Sequence, residues 1–211
     1  MIPSIISLSM REITAVRHPG RPRSFDTEKA LDRALQVFSK KGYEGASLSD
    51  LTEAMGINRP SLYAAFGDKE NLFRKALDRY TERTMTYMQE ALKEKTARRF
   101  VECLLRGTAE AVTDSSHARG CLTVTGALAC GDESEPIRKE LISRRRAAER
   151  LIFERLKRAK QEGDLPAESK PVDLARYFAT VVQGIAVQAA SGASRAELLR
   201  VAETALKVWP E

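Results

Sequence analysis

The stretch Ser47–Phe73, SLSDLTEAMGINRPSLYAAFGDKENLF, decides the fold. Ser47 followed three residues later by Asp50 has the spacing of a capping box, in which each side chain satisfies an orphan amide at a helix start. A short helix over Leu48–Met55 follows. Gly56 can take the left-handed conformation that a tight turn needs. Asn58 can cap the next helix, and Pro60 suits its first turn, where a missing N–H costs nothing. That helix stops near Phe66-Gly67, and Asp68 caps a longer one running through Leu72, Phe73, Ala76, Leu77 and Tyr80 toward Leu92. Two short helices joined through Gly56 form a helix-turn-helix. Leu48, Leu51, Ala54, Ile57 and Leu62 pin the pair, leaving Asn58, Arg59, Ser61, Tyr63 and Ala64 facing outward.

Upstream of this stretch, Ala30, Leu31, Ala34, Leu35 and Phe38 recur at three- and four-residue steps, the stripe of an amphipathic helix that Gly42 stops. Arg11–Arg23 is basic and broken by Pro19, Gly20 and Pro22, which reads as a flexible arm; residues 1–10 read as a loose tail ahead of a start at Met10. Downstream, helices are expected at about Thr96–Ser115, Cys121–Cys130, Pro136–Glu162, Val172–Ser191 and Arg195–Val208, with Gly-, Ser-, Pro- or acid-rich separators. No alternating strand pattern or hairpin turn occurs. The expected fold is all-α: a basic arm over 1–23, a three-helix helix-turn-helix domain over 24–70, and a helical region over 71–211.

The chain has 211 residues, with 43% hydrophobic and 30% charged residues, the balance of a soluble globular protein. No run approaches the roughly 20 apolar residues of a membrane span, and the N-terminus lacks the pattern of a signal peptide. Cys103, Cys121 and Cys130 are odd in number and have no paired spacing, which argues for a reducing cytoplasm over a secreted disulfide framework. The net charge of +6 favours a polyanionic partner.

Double-stranded DNA is the partner that suits the outward helix face, since a recognition helix presents its first residues to base edges in the major groove. Arg59 offers two donors to a guanine edge or to a phosphate, Ser61 can meet either, and the Tyr63 hydroxyl can reach a phosphate. Lys69 and Ser47 stand at helix starts, where amides attract phosphate; Arg21 and Arg23 can enter the minor groove or follow the backbone.

The run from Ser47 to Phe73, together with the upstream GRPRSFDTEKALDRALQVFSKKGYEGAS, resembles the DNA-binding signature of the TetR family of one-component regulators. Gly42, Tyr43, Leu48, Ala54, Gly56, Leu62-Tyr63, Phe66, Lys69-Glu70 and Leu72 stand where that pattern has them, while Pro60 replaces a residue that is small in many members. The resemblance implies a homodimeric repressor with a small-molecule effector in the region 71–211. Its fourth helix would couple effector binding to the spacing of two DNA-binding heads on a palindromic operator. The final two helices would pair across a two-fold axis, with Val181, Val182, Ile185, Ala189, Leu198, Val201 and Leu206 at the dimer interface. Candidate pocket walls are Met85, Met88, Phe100, Cys103, Leu104, Leu122, Leu128, Phe153 and Phe178, although apolar residues at helical spacing are more often plain core.

Other chemistries find little support. There is no phosphate-cradling glycine loop, zinc-protease His pair or nucleophile elbow, so no enzyme and no cofactor is expected. His117 and Cys121 have the spacing of two metal ligands, but Gly120 interrupts their helix and no third ligand accompanies them. A thiol sensor at Cys121 or Cys130 competes with the reading of buried cysteines as small hydrophobes. Arg144, Arg145, Arg146, Arg150 and Arg155 are expected on a solvated helix face, paired with local acids.

Overall fold

The computed structural model describes residues 25–115, 118–128 and 134–210, with the side chains of 127 and 128 excepted. Arg21, Arg23, His117 and Cys130, and the side chain of Leu128, lie outside the described residues. Ten α-helices follow in order among the described residues: α1 Thr27–Gly45, α2 Leu48–Met55, α3 Arg59–Phe66, α4 Lys69–Thr84, α5 Thr86–Leu92, α6 Ala97–Val112, α7 Leu122–Leu128, α8 Glu135–Gln161, α9 Pro171–Ala190 and α10 Arg195–Ala205. Among the described residues there is no strand.

The helix starts are set by side chains three residues apart in sequence. Asp26, Ser47, Asn58, Asp68, Thr96 and Ser194 each accept a backbone N–H of the turn they open, and Ser47 with Asp50 completes the capping box. Gly56 closes α2 in the left-handed region at φ 67°, and Gly42 (φ 70°, ψ −177°) interrupts α1, making a final turn out of Tyr43–Gly45.

One long helix is expected from Asp68 toward Leu92; the structure breaks it at Met85 (φ −91°, ψ 10°). Thr81 and Thr84 return their hydroxyls to the carbonyls of Leu77 and Tyr80, at 2.9 and 2.7 Å. Such back-bonding bends helices. The bend lets α5 run along α6.

Two apolar clusters form. The first holds α1, α2, α3 and α4 together through Leu35, Phe38, Leu51, Leu62, Phe66, Leu72, Phe73 and Leu77. Phe38 and Phe73 meet edge to face at 4.9 Å, and Tyr43 meets Phe73 at 5.2 Å, geometries worth about 0.5–1.5 kcal/mol per pair beyond burial. This cluster also includes Leu122 of α7 with Ile137 and Leu141 of α8, so the head is roofed by residues from the C-terminal half. The second cluster fills the body among α5, α6, α8, α9 and α10, with Phe100, Leu104, Ile152, Leu156, Phe178, Ile185 and Leu198 at its centre. Cys121 packs against both. Asp32 of α1 binds Arg79 and Arg83 of α4 at 3.0 and 2.8 Å, which fixes the rotation of α4 more than it adds stability.

Arg155 corrects the reading of α8 as a helix with a fully solvated basic face. It is only 4% exposed; its Nη2 donates to the carbonyls of Glu94 and Lys95 beyond the end of α5, and its guanidinium stands 5.7 Å from the Phe100 ring. Arg144 keeps the expected local pair with Glu140, but it is partly buried and also binds Asp78 of α4.

Candidate nucleic-acid interface and internal cavity

The outward edge of the head is built from the start of α2 and one face of α3. Leu62 and Phe66 anchor α3 inward, and the 3.6-residue repeat therefore turns Arg59, Pro60, Tyr63 and Ala64 out, with Tyr63 49% exposed. A tyrosine that open on a short helix presents a large amphipathic side chain to whatever docks there.

The predicted contacts divide by what already occupies them. Asn58 spends its side-chain oxygen on the N–H of Ser61 at 2.9 Å, so it shapes the start of α3 and its amide nitrogen is what remains for a partner. Arg59 reaches back across the turn to Ser49 Oγ at 3.1 Å, which draws the guanidinium toward the start of α2. Ser47 caps α2, and its partner Asp50 is also bound by Lys41 at 2.7 Å; these contacts hold the Asp50 carboxyl down at about 2. Ser61 is partly buried and Pro60 exposed in the first turn. Lys69 is half-buried, its ammonium 4.5 Å from the centre of the Tyr43 ring, and desolvation lowers its pKa against the pull of Glu44. Ser49, in the first turn of α2, and Tyr43, near the end of α1, were not among the contact candidates, although Tyr43 is one of the residues that carry the family resemblance.

Within the body, α4, α5, α6, α8, α9 and the start of α7 line a partly open cavity of about 250 Å³. Met85 and Met88 line it as expected from sequence. The other described candidates stand elsewhere: Phe100, Leu104 and Phe178 are wholly buried in packed core, Leu122 belongs to the head cluster, and Cys103 and Phe153 pack against the body without reaching the cavity. Walls that were not among the pocket candidates include the polar Tyr80, Tyr87, Thr108, Thr123 and Gln183, the apolar Val112, Val124, Leu151 and Ile152, and Cys121, which sequence raised only as a thiol sensor. Burial pushes the Tyr87 hydroxyl up to about 12 and that of Tyr80 well above its usual value, so both stay neutral hydrogen-bonding groups.

Of the residues expected at a dimer interface, Ile185, Ala189 and Leu198 are enclosed by the protomer's own core and cannot reach a partner. Val181, Val182 and Leu206 are partly buried, and Val201 is 43% exposed. The large apolar groups that α9 and α10 leave open include Tyr177, Val187 and Val201.

The description "Bacterial regulatory proteins, tetR family" matches residues 30–76, and "Tetracyclin repressor-like, C-terminal domain" matches residues 98–205. The chain belongs to the TetR family. It is 34% identical to the HTH-type transcriptional repressor ComR of Escherichia coli K12 over 194 residues, covering 91% of this chain and 92% of that protein. The HTH-type transcriptional repressor BdcR of the same organism is 30% identical over 90% of this chain and 91% of its own length. Among solved structures, the TetR family regulator CifR, as a cysteine mutant complexed with 26-bp double-strand operator DNA, is similar at a TM-score of 0.87 and 47% identity. The match covers 90% of this chain and all of that one. A TetR family member with a helix-turn-helix head is a transcriptional regulator, not an enzyme. No described helix is long and apolar enough to cross a membrane.

Proposed function

We propose that this protein is a homodimeric repressor that holds a palindromic DNA operator and releases it when a small molecule enters the cavity between α4 and α9. The observation that carries the reading is the outward face of α3, where Arg59 and a half-exposed Tyr63 flank a helix N-terminus whose caps are in place. Such a face fits a major groove: the first turn meets base edges, and Tyr63, Ser47 and Lys69 meet the sugar-phosphate backbone on either side. Arg21 and Arg23 would extend the contact along the duplex. Residues 24–70 form the DNA-reading unit in this proposal, and residues 71–211 the sensing and dimerising unit.

The dimer is proposed across α9 and α10, because the exposed Tyr177 and Val201 line an open groove with Val181, Thr204 and Ala205, and Val187 of α9 is exposed as well. A two-fold axis there would place the heads roughly 34–36 Å apart, the repeat of successive major grooves. The free thiols of Cys103 and Cys121 suit a reducing cytoplasm.

The test is binding to duplex DNA from the region flanking the protein's own gene, measured over a salt series. Affinity should fall with a log–log slope of about −0.9 per neutralised phosphate. A flat salt response would refute the DNA reading. Arg59→Ala should relax preference at one base position, whereas Tyr63→Phe should weaken all sequences alike.

A further inference from the structure

Among the described residues, three charged ones line the cavity: Arg144, Arg145 and Glu149, all on α8. Two of them are already engaged. Arg144 binds Glu140, one turn back, at 2.7 Å and Asp78 of α4 at 2.6 Å. Glu149 is bound by Arg176 of α9 at 2.5 Å. That last pair decides the surroundings of Arg145. A helical side chain meets those three and four residues away, which for Arg145 are Leu141, Ile142, Ala148 and Glu149. Glu149 is the one acid in this set, and α9 has taken it. Arg145 therefore lacks the local pair that the sequence leads one to expect. It is partly buried, and no acid or acceptor among the described residues binds it.

A partly desolvated guanidinium with unfilled donors is costly, and a carboxylate matches its planar fork with two parallel hydrogen bonds. The rest of the wall does not oppose a negative charge. Glu149 is neutralised by Arg176, and burial raises the hydroxyls of Tyr80 and Tyr87, which keep their protons. Gln183 of α9 also lines the cavity and holds no hydrogen bond among the described residues, so its amide remains as a second donor. The other walls are largely apolar, with Met85, Met88 and Ile152 among them. The volume of about 250 Å³ exceeds the roughly 150 Å³ that holds a benzene ring and falls short of the roughly 300–1,000 Å³ of pockets for drug-sized molecules. An occupant is therefore a single ring or a short chain with one head group.

We propose that the cavity takes a compact monocarboxylate, whose head group pairs with Arg145 and whose apolar body lies among Met85, Met88 and Ile152. The proposal rests on the effector reading above and names the chemical class of that effector. A charge bound at Arg145 acts one residue away from the Arg144–Asp78 bridge, which ties α8 to α4. Helix α4 in turn follows the recognition helix α3 across two residues, Gly67 and Asp68, so the ligand's charge lies close to a link between body and head.

The experiment uses full-length protein with benzoate and hexanoate, and with benzamide and hexanamide as neutral controls of the same shape. In isothermal titration calorimetry at neutral pH, each acid should bind at least about tenfold tighter than its amide, since hydrogen bonds between charged groups outweigh neutral ones. Arg145→Gln should cancel that preference and leave the affinity for the amides unchanged. Arg145→Lys keeps the charge without the fork and should retain part of it. Arg146→Gln, next in the chain but exposed and outside the cavity wall, should behave as wild type. Affinity for the duplex should fall by about 5- to 150-fold with the acids and stay unchanged with the amides at the same concentration. Amides that bind as tightly as the acids, a preference that survives Arg145→Gln, an equal loss in Arg146→Gln, or acids that do not bind overturn the proposal. If circular dichroism shows Arg145→Gln unfolded, the acid-over-amide ratio in wild type and its reduction in Arg145→Lys decide the matter. Acids that bind through Arg145 and leave the duplex held overturn the effector reading instead. Ligand-free protein that fails to bind duplex DNA overturns the repressor reading, and the calorimetry is independent of both results.

Discussion

Gly107, in the middle of α6, tests the packing that closes the cavity. A methyl group at this position would lie 2.6 Å from Tyr87 Cβ and 3.2 Å from its Cγ. Two opposed effects follow from Gly107→Ala. Helix propensity favours alanine by about 1 kcal/mol. Against it, two carbons prefer about 3.5–4.0 Å, so α5 and α6 must separate by about 1 Å. Tyr87 Cβ is bonded directly to its backbone and has no rotamer that escapes. Overpacking of this kind costs about 1–3 kcal/mol, and a rigid Cβ–Cβ contact belongs at the top of that range. The net is a loss of about 2 kcal/mol, or about 4–8 °C in Tm for a chain of this size. Gly126→Ala is the control: its methyl would meet only the terminal carbons of Leu141 and Leu122, at 3.4 and 3.6 Å. Differential scanning calorimetry on both variants decides it. A Gly107→Ala protein that melts at or above wild type, or no lower than Gly126→Ala, refutes the reasoning.

Gly184, on α9, has open space where a methyl would go, with no described atom within 4 Å, so Gly184→Ala should raise protomer stability by up to about 1 kcal/mol; sedimentation equilibrium should show a weaker dimer if α9 is the interface, and an unchanged one would move the interface elsewhere. For Arg155, Met retains the stem packed on Phe100 and removes a buried charge whose Nε and Nη1 find no partner among the described residues. Arg155→Met should therefore melt higher than Arg155→Lys, which keeps the charge and loses the fork. The reverse order in urea titrations would show that the charge itself is needed. Asp50 has its pKa lowered to about 2 by Lys41 and Ser47, below the ordinary 3.8. Its contribution is complete above about pH 4 and fades as pH falls toward 2. Hydrogen exchange in α2 should accelerate over that window, and Asp50→Asn should flatten the dependence.

The head was legible because its signals are local. Ser47 with Asp50, Asn58 with Ser61 and Asp68 with Asn71 are all three residues apart, and glycines at 42 and 56 take the positive φ that ends a helix. The body was less so, because what distinguishes a cavity wall from packed core is whether a third helix arrives, and that is not a local property. Phe100 and Met88 share the same apolar periodicity, yet one is core and the other faces open space. Arg155 escaped for a related reason: its burial depends on carbonyls about sixty residues away. The break at Met85 had a local cause in the threonines around it, but a helix pattern read from apolar spacing alone passes over hydroxyls that bond to their own backbone.

The roof that Leu122, Ile137 and Leu141 place over the head limits how the protein can be cut or recombined. A fragment ending after α4 would carry a bare oily patch into water. A chimera that transplants this reading head onto a foreign body inherits the same fault unless the recipient offers three side chains of matching shape at the same spot. Specificity in this molecule is thus not a detachable cassette: whoever swaps the tip must also carry over the piece that covers it.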